Sequence, residues 1–145
     1  MAFRFTLASV LAVRESMERR EELALTKIQL EMARVQHEIE RVNAELGEAQ
    51  RIREESMRQP IPAAQLQGML RSADVATERK KRLVESLAAL KRQRGEQMRV
   101  YQTARRARQV LSELRTQHFE AWEQEQARMQ QKILDDIFAA RSQRN

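Results

Sequence analysis

Between Leu25 and Ala49 the apolar residues fall at Leu25, Ile28, Met32, Val35, Ile39, Val42, Leu46 and Ala49, in alternating steps of three and four that never slip. A repeat of that kind keeps one narrow stripe facing one partner helix, which is the a/d seam of a coiled coil. A helix on a globular core carries a wider stripe with a 3.6-residue period. The residues between are Glu, Arg, Gln, Lys and Asn, which favour water. The partner helix must come from elsewhere in the chain or from another molecule.

Composition points the same way. Charged residues make up 33% of the 145 and aromatics 4%, with only 3 Gly and 2 Pro. That is material for long helices and thin apolar layers, not for a thick core. Cysteine is absent, so disulfides and thiolate sites are excluded and a reducing compartment is compatible. No run approaches the roughly 18 apolar residues of a membrane-spanning helix. The stretch from Phe3 to Val13 has an apolar character behind Arg4, but no small-residue cleavage site follows and the pattern runs on into helix.

Gln59-Pro60-Ile61-Pro62 is the strongest interruption in the chain. A proline inside a helix removes an amide donor, clashes with the preceding turn and pushes the residue before it out of helical geometry. We therefore expect a single coiled-coil domain over residues 1–145, with a first helix over about 7–58, a joint at Pro60–Pro62 and a second helix over about 62–140. Thr6 or Ser9 can cap the first helix. Gly47 interrupts it, either at a hairpin tip, at a close helix–helix approach or as a tolerated glycine. The predicted fold class is all-α, a long antiparallel two-helix coiled-coil hairpin with the C-terminal helix overhanging.

Folding the chain about Ile61 tests the pairing. Met32 then meets Leu90, Val35 meets Leu87, Ile39 meets Leu83, Leu46 meets Ala76 and Ala49 meets Ala73. Val42 falls opposite Lys80, Ile28 opposite Arg94 and Leu25 opposite Gln97, where long side chains can lay their stems over the seam. Phe3 falls opposite Phe119. Beyond about Glu120, Trp122, Met129, Ile133, Leu134, Ile137 and Phe138 keep helical spacing without an expected partner. An exposed stripe of that kind suits a binding surface, unless the segment from Phe3 to Leu11 slides over part of it.

Charge is uneven. Residues 1–59 carry 10 Lys/Arg against 11 Asp/Glu, a balance of −1, and residues 60–145 carry 17 against 10, a balance of +7. Residues 71–108 hold 12 Lys/Arg against 4 Asp/Glu, including the run Arg79-Lys80-Lys81-Arg82, and Arg92, Arg99 and Arg106 recur every seven residues. Such a stripe could grip phosphate, an anionic membrane or an acidic protein, or be a flank paired with Glu on the first helix. Nucleic-acid binding usually brings stacking aromatics, and only Tyr101 lies here, so nucleic acid is the weaker reading.

Catalytic signals are absent. The glycines are isolated, so no phosphate loop is present, and His37 and His118 lie far apart with no ligand-spaced carboxylates. Asp135-Asp136 near Lys132 reads as a solvated helix surface, because a rod offers no pocket to shift a pKa. No enzyme activity, cofactor or metal is called for.

The opening Phe3-Arg4-Phe5-Thr6-Leu7, with Val10-Leu11 and Arg14, and the ending Met129-Gln130-Gln131-Lys132-Ile133-Leu134-Asp135-Asp136-Ile137 followed by Arg141, are similar to the two ends of the FliJ proteins of flagellar type III export. Asp136 stands where the family's tail usually has Glu. The resemblance covers the whole chain in architecture and both ends in sequence. It implies a rod like the central stalk of rotary ATPases, working in flagellum assembly and hence motility. Its partners would be a hexameric export ATPase, a membrane export gate and export chaperones, without nucleic acid. Its location would be the cytoplasm, peripherally at the inner face of the membrane.

On that resemblance the ATPase-ring contacts would be Phe3, Phe5, Leu7, Val10, Trp122, Met129, Ile133 and Ile137. Arg92, Arg99 and Arg106 would meet an acidic partner. The gate contact would fall on Leu66, Met69, Ala73 and Ala76, although the large aromatics associated with it are missing there. A virulence secretion stalk would share this fold, and a basic nucleic-acid-binding coiled coil is the reading from another class.

Overall fold

The computed structural model describes residues 2–145, and within them the chain forms two helices, α1 (Ala8–Ser56) and α2 (Ala63–Gln143). The fold is the all-α antiparallel hairpin, with no strands among the described residues. An extended segment and one turn precede α1. The amide of Ala8 bonds the Phe5 carbonyl at 3.1 Å and that of Leu11 bonds Leu7 at 2.9 Å, which starts the helical ladder.

The α1 ladder closes in shorter steps, Arg58 to Glu55 and Gln59 to Ser56, each 3.4 Å, which use up two of the carbonyls that a helix end leaves bare. Pro60 then bars continuation. The Pro62 carbonyl accepts from Gln65 at 3.1 Å and Leu66 at 3.2 Å, so Pro62 stands just outside α2 with its missing N–H at no cost. All peptides among the described residues are trans, and none needs a positive φ.

Contacts divide the chain into two units. A middle unit comprises Glu21–Val100, and an end unit comprises Met1–Arg20 with Tyr101–Asn145.

In the middle unit the α1 seam supplies the buried residues Leu25, Val35, Ile39 and Val42, the last only 1% exposed. From the α2 side Leu66, Met69, Ala73, Ala76, Lys80, Leu83, Leu87 and Leu90 are half-buried, and no described residue of α2 is fully buried. Part of the asymmetry has a simple origin: beside its leucines the α2 seam carries Ala73, Ala76 and Lys80, and small or wet side chains cover a neighbour without being enclosed themselves. Lys80 is half-buried, as a snorkelling stem on the seam would be.

Polar links also cross the middle unit. Arg79 donates to a Glu45 carboxylate oxygen at 2.9 Å, on the surface. Gln97 donates to the Glu21 carbonyl at 3.1 Å and carboxylate at 2.7 Å, so its amide lies one turn from the Leu25 level at which a fold about Ile61 places it. Gly47 is neither at a tip nor at a close approach. It sits inside α1, and a Cβ added there would meet nothing within 4 Å.

Candidate functional site

The end unit holds every Phe, Trp and Tyr of the chain. The extended segment before α1 delivers Phe3 and Phe5 to α2, which presents His118, Phe119 and Trp122 within about one helical turn. Phe3 meets Phe119 edge-on, with ring centroids 5.2 Å apart, and leans on Trp122 at 6.0 Å. Phe119 and Trp122, three residues apart on one helix face, stack at 5.8 Å. Phe5 sets its ring edge-on to His118 at 5.6 Å. These spacings fall in the range where aromatic pairs gain beyond simple burial.

Phe5 and Leu11 are buried, at 8% and 4% exposure. Phe5 therefore anchors the segment to α2, while Phe3, Leu7 and Trp122 keep part of their surface in solvent and Phe119 is exposed. Phe3, Leu11, Glu15, Ser112, Arg115, Thr116 and Phe119 border an open groove of about 430 Å³.

Below the rings, Arg108 grips Glu18 with two hydrogen bonds, 2.6 Å from Nε and 3.2 Å from Nη2. The pair is sheltered, with side chains 27% and 16% exposed. The Arg108 hydrogen bond, helped by the charges of Arg108, Arg105 and Arg19, holds the Glu18 carboxyl below the usual carboxylate range against an opposing effect of burial. The same hydrogen bond raises the Arg108 guanidinium.

Past Trp122 and Gln126 every residue of α2 is exposed. Met129, Ile133, Leu134, Ile137 and Phe138 form an apolar stripe with 45–65% of their surface open. Val10, Val13 and Met17 form a second exposed apolar row on α1. The expectation that Trp122 lacks a partner is corrected in favour of the alternative in which the segment from Phe3 covers part of the stripe: Phe3 and Phe119 both touch it. Coiled-coil periodicity missed this because the extended segment carrying Phe3 has no helical register. His118 is exposed and at the same time packs against the Phe5 ring. Two aromatics spaced by one residue before a helix cap were the available signal.

The other expected site residues are spread out. The structure brings Phe3 to Trp122 and Phe5 to His118, leaves Leu7 half-buried and Val10 exposed on α1, and leaves Met129, Ile133 and Ile137 on the bare stripe. In the middle unit Leu66, Met69, Ala73 and Ala76 are half-buried on the seam, and Met69 and Ala73 border a narrow cleft with Leu46, Ala49, Gln50 and Arg53 of α1. Arg92 and Arg99 are exposed there, and Arg106 is exposed in the end unit.

No helix among the described residues is long and apolar enough to cross a membrane, and no cluster of three or more metal-ligating side chains occurs among them. The protein-family model described as Flagellar FliJ protein matches residues 3–145. No curated protein and no solved structure matches the chain.

Proposed function

Because the chain belongs to the flagellar FliJ protein family, we propose that within flagellar export it is a non-enzymatic stalk and cochaperone whose terminal coiled-coil end enters the hexameric export ATPase. In this role it promotes assembly of the ring and links the ring to the membrane export gate. The observation that carries the proposal is the apolar stripe from Met129 to Phe138, which continues α2 beyond its last half-buried residue with nothing packed on it. Single exposed apolar residues are ordinary, but five at helical spacing are not.

The aromatic contacts of the end unit fix where that stripe begins. Phe3, Phe5 and Leu7 hold the entering segment against α2, Trp122 marks the junction, and Val10, Met129, Ile133 and Ile137 present apolar surface to the ring. Arg92, Arg99 and Arg106 supply the contact to an acidic partner. The gate contact lies at the rims of Leu66, Met69, Ala73 and Ala76, and export chaperones are further partners. The working location is the cytoplasmic face of the membrane. A nucleic-acid role loses support because Tyr101, the one aromatic of the basic region, is half-buried and poorly placed to stack on a base.

The test is a chain ending at Gln126, which keeps Phe119 and Trp122 and removes the bare stripe. It should stay helical by circular dichroism and lose stimulation of the export ATPase in a hydrolysis assay. Full stimulation by that chain would defeat the proposal.

A further inference from the structure

In the middle unit α2 carries seven Lys/Arg and one acidic residue, Glu85, between Arg79 and Arg94. If this were a flank neutralised by α1, cross-helix ion pairs should be frequent. Of these seven, only Arg79 makes one among the described residues, to Glu45. Four α1 glutamates are instead engaged along their own helix: Arg34 takes Glu31 and Glu38, and Arg51 takes Glu48 and Glu55. Lys81, Arg82, Lys91, Arg92 and Arg94 are exposed and make no ion pair among the described residues.

These cations frame a pattern. The half-buried seam positions are Lys80, Leu83, Leu87 and Leu90. One residue further on lie Lys81, Val84, Ala88 and Lys91, again spaced three, four and three, and all exposed, with Val84 at 47%. That is a short second a/d stripe, apolar in its middle and cationic at both ends, with Arg92 alongside. A bilayer gains little from one valine, and a straight helix with so few cations does not follow a nucleic-acid groove.

We infer that Lys81, Val84, Ala88, Lys91 and Arg92 form a docking face for an acidic amphipathic helix of a partner protein, which packs as a third strand beside the hairpin. This rests on reading the basic side of α2 as an acidic-partner surface, and it moves the centre of that surface from Arg99 and Arg106 to Val84. Opposite charges set orientation and encounter rate, and the Val84–Ala88 contact sets the seat.

The probe is a synthetic helix of about four heptads with Leu at a and d and Glu at e and g, whose acidic flanks oppose self-pairing. Its binding to the full-length chain is followed by fluorescence anisotropy. A sequence-scrambled peptide of equal charge, a short DNA duplex and phosphatidylglycerol vesicles serve as the other arms. The peptide should bind at least about tenfold more tightly than its scrambled form, and Lys81→Glu with Arg92→Glu, or Val84→Asp alone, should each cost about tenfold. Tighter binding to DNA or vesicles, equal binding of the scrambled peptide, or indifference to Val84→Asp overturns the inference. Loss of binding in Arg99→Glu with Arg106→Glu, but not in the Lys81 and Arg92 variant, rejects this face and leaves the broader acidic-partner reading standing. No binding by any variant removes both.

Discussion

The middle unit and the end unit use opposite means to hold two helices together. The middle unit seals a row of aliphatic residues, Leu25, Val35, Ile39 and Val42, and its surface ion pairs run mostly along α1. Among its described residues the end unit buries only Phe5 and Leu11, and it relies on edge-on and stacked rings and one sheltered ion pair. Aliphatic layers give stability per area without specificity. Rings with one open side give a surface that can hold its own chain and still offer contact area to another. On this reading stability resides in the middle and recognition at the end.

The largest effect expected within the chain tests the first half of that contrast. Ile39→Ala removes a buried branched side chain from a thin seam that can partly collapse, so the loss should be about 2 kcal/mol, at the low end for such changes. Urea denaturation followed by circular dichroism would show it as a drop in the global midpoint. By contrast, Trp122→Ala takes away two ring contacts and should cost about 1 kcal/mol, felt locally. Amide exchange should quicken at residues 3–11 while the middle unit keeps its protection. If Trp122→Ala lowers the global midpoint as much as Ile39→Ala does, the division of labour is broken. Gly47→Ala sharpens the same contrast in the other direction. The glycine is mid-helix with open space around its Cα, so alanine should stabilise the middle unit by about 0.8 kcal/mol.

The hairpin was legible because every α1 layer from Leu25 to Ala49 is apolar and the prolines stand at one place. A fold about Ile61 then put Phe3 beside Phe119, and the two rings do meet, 5.2 Å apart. Periodicity carries this far because it is a property of helices. It says nothing about the extended segment, so the contact of Phe3 with Trp122 was out of its reach. Nor does it assign polar partners. A basic flank beside a Glu-rich helix invites cross-helix pairing, yet Arg34 and Arg51 lie three or four residues from α1's own glutamates and take them at little entropic cost. The local pairs were written in the sequence at that spacing. The choice between local and cross-helix pairing depends on side-chain reach, which sequence alone leaves open. Of the candidate site, the stripe beyond Trp122 could be read from spacing, whereas Glu18 and Arg108, 90 residues apart, could not be matched without the folded geometry.

That ion pair gives the smallest predicted effect and the cleanest reporter of pairing in the end unit. Three glutamates have carboxyls held below the usual range: Glu18, Glu31 and Glu48. Glu31 and Glu48 owe this first to hydrogen bonds from Arg34 and Arg51 on their own helix, which any state retaining α1 would partly preserve. Glu18 owes it first to Arg108 on the other helix, so the main cause of its shift is present only while the end unit is closed. A carboxyl depressed on folding adds stability above its unfolded pKa, and that stability is lost as pH falls through the folded value. The wild-type chain should therefore be more resistant than Glu18→Gln at neutral pH. The difference should shrink once pH drops below the ordinary value of 4.5, and it should vanish in stronger acid. Exchange rates at residues 8–20 measured from neutral to acid pH in both proteins would show the convergence. Because the groups are partly in water, added salt should narrow the neutral-pH gap as well. A gap that persisted unchanged into strong acid would mean that Glu18 acts through packing, and that the end unit closes by its rings alone.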